Sequence, residues 1–382
     1  MKKLYLVILA VAAIAVLGGG YFIYQEYFTY EPSHTYSTSR PLPTTETSGE
    51  QPEEIASVSP GEAPSLSSAP EGMPSGQAGL TSDLLDLKPK WKVGNRYVFR
   101  TENVSESETR IPNRRDPLKT TQKLTQDFAI SILNERPDGG HEAEFEIVGM
   151  KMDTDTEGKK LTYDSTSDAA ADANNPLAPM LQTMVGLKLK YTIDADGKVK
   201  EVAGAESFQE SMERTLTKAP PEVESTLKAM FSEKSLKDMF KNFEPVADKP
   251  VKVGETWNTQ QELTLPALGK TVINIYYTFK EWDKQTGQRL AFVQFSGNMD
   301  VQSKKGADLG PMNISLENAF FTGKSWYNPD IGIGVETQID QDITMLIKTK
   351  MRVRGKMQEQ QIRSKVKNQA STKLIEIAPF NI

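Results

Sequence analysis

Asp153, Asp155, Glu157 and Asp164 lie in the stretch "DTDTEGKKLTYD", with acids at loop positions 1, 3, 5 and 12 and glycine at 6, the spacing of a calcium-binding loop. Calcium would need about six or seven oxygens, which these carboxylates and backbone carbonyls could supply. The flanks read as strands rather than helices, Lys159 and Lys160 bring positive charge, and Asp164 is shorter than the glutamate usual at the last position. A tight hairpin turn is therefore the favoured reading, and no residue is assigned as a metal ligand.

Two further groups of residues could bind rather than react. Lys348, Lys350, Arg352 and Arg354 alternate along one apparent strand, and Arg363, Lys365, Lys367 and Lys373 along the next. Such a face would attract lipid headgroups or acidic envelope polymers at short range. The favoured reading is the solvated outer face of a hairpin, where lysine discourages edge pairing. Met180, Met184, Met212, Met230 and Met239, with Phe240, form the other group. Methionine suits surfaces that accept varied apolar partners, and it is also an ordinary core filler.

Covalent and acid–base chemistry is poorly provided for. The chain has no cysteine, which excludes disulfides and thiolate sites, and its two histidines, His34 and His141, are far apart in sequence. No phosphate-cradling glycine loop, G-x-S-x-G elbow or histidine motif is present. A hydrolase working through paired carboxylates is the remaining enzymatic reading, and no pair stands out. The expectation is a non-enzymatic protein without a cofactor.

The elements that must position these residues begin with residues 1–30. Two lysines precede residues 4–24, which carry no charge. As a helix these 21 residues would span about 31 Å, the thickness of a bilayer core. Aromatic residues resume at Tyr21, Phe22, Tyr24, Tyr27 and Phe28, as at a membrane interface, so a retained anchor is favoured over a cleaved signal. Lys2 and Lys3 place the start of the chain in the cytoplasm and the rest outside it, at the cell membrane or secreted if the segment is cleaved. Residues 31–83 follow as an acidic stalk. Between residues 31 and 80 there are eight prolines, ten serines and seven glutamates against one arginine, a composition that cannot bury enough surface to fold. The remaining 302 residues are nearly neutral at −1, and nothing in them argues for nucleic acid.

From residue 84 the hydrophobic period is two. Leu124, Phe128, Ile130 and Ile132 share one face, and Ala143, Phe145 and Ile147 alternate with glutamates. "NERPDGG" joins these two stretches, and "LKYTIDADGKVKEV" reads as another hairpin. Residues 339–353 and the segment after Gly355 read as a long terminal hairpin. Between lies helical spacing: Phe208, Met212 and Leu216; Val223, Leu227 and Met230; Leu236, Met239, Phe240 and Phe243. A shorter helical turn is expected at residues 179–185. "WKVGNRY" and "VKVGETW" repeat at a separation of 160, and Gly149 matches Gly297 at 148, as two copies of one β unit would.

These features predict a mainly β (α+β) protein. It would have a first β unit over residues 84–203, a helical insert over 204–246 and a second β unit over 247–382, forming a curved sheet or half-barrel. The two openings, Lys92, Gly94 and Tyr97, then Lys252, Gly254 and Trp257, resemble the "K-x-G-x-x-[YW]" strand opening of uncharacterised β-rich exported protein families of bacteria. That resemblance implies no activity and no catalytic residues. The architecture is also similar to the bacterial lipoprotein-carrier fold, which implies enclosure of acyl chains. Two functions follow as expectations. One is a membrane-anchored binding module for an amphipathic or lipid-like ligand; the other is an envelope scaffold using the basic hairpin face.

Overall fold

The computed structural model describes residues 84–380 except 113, 168–174, 176–177, 196–198, 205, 207–209, 212–213, 215–246, 248, 266–268, 285–287, 302–311 and 354–355. The expected anchor and stalk lie outside the described residues. Of the expected insert, Gly204, Glu206, Glu210, Ser211 and Arg214 are described, the last four in helical conformation. Among the described residues no helix is long and apolar enough to cross a membrane.

The first run of strands comprises β1 (Leu84–Leu85), β2 (Asn95–Arg110), β3 (Leu118–Glu135), β4 (His141–Thr156), β5 (Lys159–Asp164), β6 (Lys188–Ile193) and β7 (Val199–Ala203). A short helix, α1 (Ala178–Met184), precedes β6 where a helical turn is expected. The second run comprises β8 (Val251–Lys252), β9 (Thr256–Leu265), β10 (Gly269–Asp283), β11 (Leu290–Val301), β12 (Met312–Asn328), β13 (Ile333–Val353) and β14 (Lys356–Pro379). Twelve strands form one antiparallel sheet in the order β7-β6-β4-β3-β2-β14-β13-β12-β11-β10-β9, with β5 paired to β4. β2–β4 and β9–β14 are meanders of sequence neighbours, β6 skips β5 to pair with β4, β1 pairs apart with β8, and the pairing of β14 with β2 fuses the two runs. The two expected β units thus share a single sheet, which is open along its described strand path.

Alternation decides which face is buried. On β14, Ile362, Val366, Ala370 and Leu374 are buried while Arg363, Lys365 and Lys367 are exposed. Aromatic rows cross the strands on the buried face, because residues opposite each other on an antiparallel pair point the same way. Phe99 stacks on Phe128 at 5.2 Å, which meets Phe145 at 5.7 Å. In the other run Trp257 stacks on Tyr277 at 5.4 Å, and Tyr277 meets Phe295 at 5.7 Å. Beyond them, β11 and β12 exchange ring for glycine: Phe295 lies opposite Gly323, and Phe321 opposite Gly297. An added Cβ at Gly323 would overlap the Phe295 ring and the Gln338 carbonyl, and one at Gly297 the Phe321 ring and the Asn274 carbonyl.

The repeated phrases form equivalent turns. Gly94 and Gly254 take φ of 79° and 84°, which glycine adopts at no steric cost. The Gly94 N–H donates to the Ile132 carbonyl at 2.9 Å and the Gly254 N–H to the Phe279 carbonyl at 2.6 Å. Tyr97 then lies opposite Ile130, and Trp257 opposite Tyr277. The match of Gly149 to Gly297 does not hold in register. Gly149 lies opposite Asp127, five residues before Ile132, whereas Gly297 lies opposite Ile275, four before Phe279. Gly149 is four residues beyond Phe145, the partner of Ile130, whereas Gly297 is two beyond Phe295, the partner of Tyr277; a Cβ at Gly149 would meet only Ser165 Oγ, at 3.6 Å.

The segment before β2 straps the halves together. Leu85 and Leu87 are buried in the second cluster, beside β8, whereas Trp91 packs on the first. Between them Lys90 Nζ donates to the Pro329 carbonyl at 2.6 Å and Tyr327 Oη donates to the Lys88 carbonyl at 3.3 Å.

Two tests follow from this packing. Gly323→Ala should cost about 1–3 kcal/mol in urea unfolding, as overpacking does. Combining it with Phe295→Leu should cost less than the two single losses added. The second concerns Glu255, whose carboxylate accepts the Lys252 N–H at 3.0 Å and lies 3.2 Å from Lys249 Nζ. That backbone hydrogen bond, with the lysine charge, holds its pKa below the ordinary value against a smaller desolvation effect. Its contribution is therefore present at neutral pH and lost as pH falls through the depressed value. Glu255→Gln should lower stability by about 0.5–1 kcal/mol at about pH 7 and have little effect once the carboxyl is protonated.

Candidate functional site

The buried face carries two apolar clusters with a polar belt across the central strands. The first cluster includes Phe99, Phe128, Met150, Met152 and Tyr191, and the second Ile273, Tyr277, Phe279, Phe295 and Phe321. On β2, β3, β13 and β14 the same face turns polar. There Thr101, Ser105, Gln122, Thr337, Gln341, Asn368 and Thr372 are all buried. Burying hydroxyls and amides is tolerable because they bond across strands. Thr101 and Thr372 share a hydrogen bond of 2.9 Å, as do Thr109 and Ser364, and Asn368 Nδ2 donates to Gln341 Oε1 at 3.2 Å.

α1 is positioned against the first cluster by its own C-terminal turn. The Gly186 N–H donates to the Ile147 carbonyl at 2.8 Å, and the Ile147 N–H to the Leu187 carbonyl at 3.2 Å. This seats Ala178, Leu181 and Met184 in the cluster. Tyr163 Oη donates to Gln182 Oε1 at 3.1 Å, and burial pushes its pKa up, helped by the charge of Asp164. Met184 is thus a core residue. Met180 belongs to α1, and Met212, Met230, Met239 and Phe240 lie outside the described residues.

The "DTDTEGKKLTYD" segment folds as a hairpin. Glu157 and Gly158, at φ of 52° and 83°, make a two-residue turn between β4 and β5. Asp155 accepts the Gly158 N–H at 2.7 Å, and Glu157 pairs with Arg114. Asp164 accepts from Thr166 and lies 3.4 Å from Lys151, and its pKa is held below the ordinary value chiefly by the Thr166 hydroxyl and N–H.

The basic hairpin residues acquire acidic neighbours through register. Lys365 lies opposite Glu108, and Lys367 sits between Glu106 on β2 and Asp342 on β13. Arg363 pairs with Glu317 at 2.8 Å. Lys373 meets Glu336 at 3.3 Å, beside Arg100, whose guanidinium grips Asp127 through two bonds of 2.8 Å. That grip raises the Arg100 pKa. Lys348 is exposed opposite Gln361; Lys350 and Arg352 continue β13, and Arg354 lies outside the described residues. The face around β14 is therefore a lattice of mixed charge. The sequence alone does not place Glu106 and Glu108, which lie 261 and 257 positions from Lys367 and Lys365, because only the β14–β2 register brings them alongside.

Lys373→Ala should cost about 1–2 kcal/mol in urea unfolding, because the Glu336 side chain is only 9% exposed. Combining it with Glu336→Gln should recover most of the loss, whereas Lys365→Ala should stay within about 0.5 kcal/mol of the parent.

No curated protein sequence matches the chain. Among solved structures it resembles lipovitellin, described for its lipid–protein interactions, at 11% identity and a TM-score of 0.37; the match covers 76% of this chain but only 26% of lipovitellin. A protein of Bacteroides fragilis assigned as exported, with a YmcC-like fold, matches at 11% identity and a TM-score of 0.23, covering 76% of this chain and 98% of its own. A DUF1329 family protein of Desulfovibrio piger matches at 8% identity and a TM-score of 0.11, covering 72% and 85%. At these identities and scores no property of those proteins transfers to this chain. The more direct likeness is to a family without assigned activity, as the strand openings implied: residues 138–325, from the β3–β4 turn into β12, match the family of unknown function DUF6263.

Proposed function

We propose that this chain is a non-catalytic binding module held outside the cytoplasm by residues 4–24, and that the buried face of its sheet takes an amphipathic, lipid-like ligand. The observation that carries this reading is the make-up of that face. Two aromatic and aliphatic clusters flank a belt of hydroxyl and amide side chains on one continuous sheet. Such a surface suits a molecule with an apolar body and a polar group, because each part finds its own chemistry.

Two features support the non-catalytic part. Tyr327, whose pKa is raised by burial, donates to the Lys88 carbonyl in the strap between the halves. Arg100, Lys188, Asp164 and Glu255 owe their shifts to partners that hold strands and turns. The scaffold reading, which relies on the basic hairpin, is weakened by the carboxylates opposite Lys365 and Lys367.

Cells making the full chain can be fed a fatty acid bearing a photoactivatable diazirine, then irradiated, and labelled peptides mapped by mass spectrometry. Labels on β3, β4, β10 or β11, at residues such as Phe128, Met150 or Phe279, are the expected outcome. Labels confined to residues 4–24, or none, would sink ligand binding while leaving the anchor to be judged separately.

A further inference from the structure

The opposite face of the sheet carries a cleft of about 370 Å³, within the range of small-molecule sites. It crosses β2, β14, β13 and β12, and its walls include Glu106, Lys367, Asp340, Asp342, Thr322 and Phe320. None of these belonged to one motif. Register alone assembles them, since Lys367 lies opposite both Glu106 and Asp342, Asp342 opposite Phe320, and Asp340 opposite Thr322.

Three observations define what would fit. First, the one lysine stands between two carboxylates on its neighbouring strands, so the cleft does not present a free positive charge to an anion. Second, the lining is rich in hydrogen-bonding groups at close range: Gln369 Nε2 donates to Asp340 Oδ1 at 3.0 Å, and the Thr322 hydroxyl stands beside them. Third, Phe320 of the lining is 46% exposed and offers its ring to a ligand. Tyr276, 52% exposed, is on the same face of β10, two strands away, with Ser296 and Asn298 of β11 between them. Strand spacing and rise put the two aromatic residues about 12 Å apart.

We infer that this face binds a neutral saccharide chain. The C–H face of a sugar ring packs on an aromatic ring, while its hydroxyls both donate and accept. Carboxylates, amides and a hydroxyl beside an exposed phenyl ring match both requirements. A second ring beyond the cleft extends the platform to a further sugar unit. This site is on the other face from the proposed lipid-like site and does not depend on it.

The test is calorimetric titration of the detergent-solubilised full chain with cellohexaose, chitohexaose and maltohexaose, and with spermine as a cationic comparison. At least one hexasaccharide should bind. Phe320→Ala and Asp342→Asn should each weaken that binding at least tenfold with unchanged urea midpoints, since both side chains are exposed. Tyr276→Ala should weaken the hexasaccharide more than the matching disaccharide. Lys348→Ala, at an exposed position outside the cleft lining, should change nothing. No heat from any hexasaccharide, equal binding by the Phe320→Ala chain, or binding of spermine alone would overturn the inference.

Discussion

The pairing of β14 with β2 is the constraint on which the rest of the molecule depends. Sixteen residue pairs join the C-terminal strand to the first long strand, and they turn two meanders into one sheet. Without that seam the hydroxyl belt would lose its partners, since Thr101 bonds Thr372 and Thr109 bonds Ser364 across it. The mixed-charge lattice and the cleft need it equally, because Lys367 meets Glu106 only there. Pairing across more than 250 positions is costly in loop entropy and slow to form. The sheet can be complete only after the last strand is available.

The two faces of the sheet answer to different physics. On the buried face, aromatic rings pack across strands and against glycine, and hydroxyl and amide side chains bond across strands, as Thr101 to Thr372 and Asn368 to Gln341 do. On the outer face, charges alternate across strands, so no large field of one sign builds up around β14. Alternation along a strand thus separates an apolar and hydroxylic surface from an ionic one at every residue step. A single-residue slip in register would exchange them, which is why both proposed sites depend on the same seam.

Much of the local structure was legible in the sequence. The period-two face of Leu124, Phe128, Ile130 and Ile132, the turns at "NERPDGG" and around Glu157, the terminal hairpin, and a helical turn near Met184 all follow from propensity and spacing. The "KVG" phrases correctly marked equivalent turns, because a left-handed glycine before a buried aromatic is a local requirement. What depends on distant strands was not legible. Nothing local to Lys365 or Lys367 names Glu108, Glu106 or Asp342 as neighbours. The pairing of Gly149 with Gly297 failed for a related reason, since Gly149 lies two residues farther along its strand than Gly297 does, which only the cross-strand register reveals. The cleft was invisible because Phe320 and Tyr276 look like two more aromatics in a β-rich chain until the register turns them outward.

The strap before β2 has a mechanical consequence. Tension applied to the chain ahead of Leu84 reaches the fold at β1, whose only strand partner among the described residues is β8. Leu85 and Leu87 are then pulled against the second cluster before any load arrives at β2. Behind them, the backbone of residues 88–90 is clamped by Tyr327, Pro329 and Ile331, and an added Cβ on Gly332 would overlap the Lys88 carbonyl. The strap therefore works as a strain relief, transferring force to the C-terminal meander and sparing the long first strand from being peeled off its neighbours.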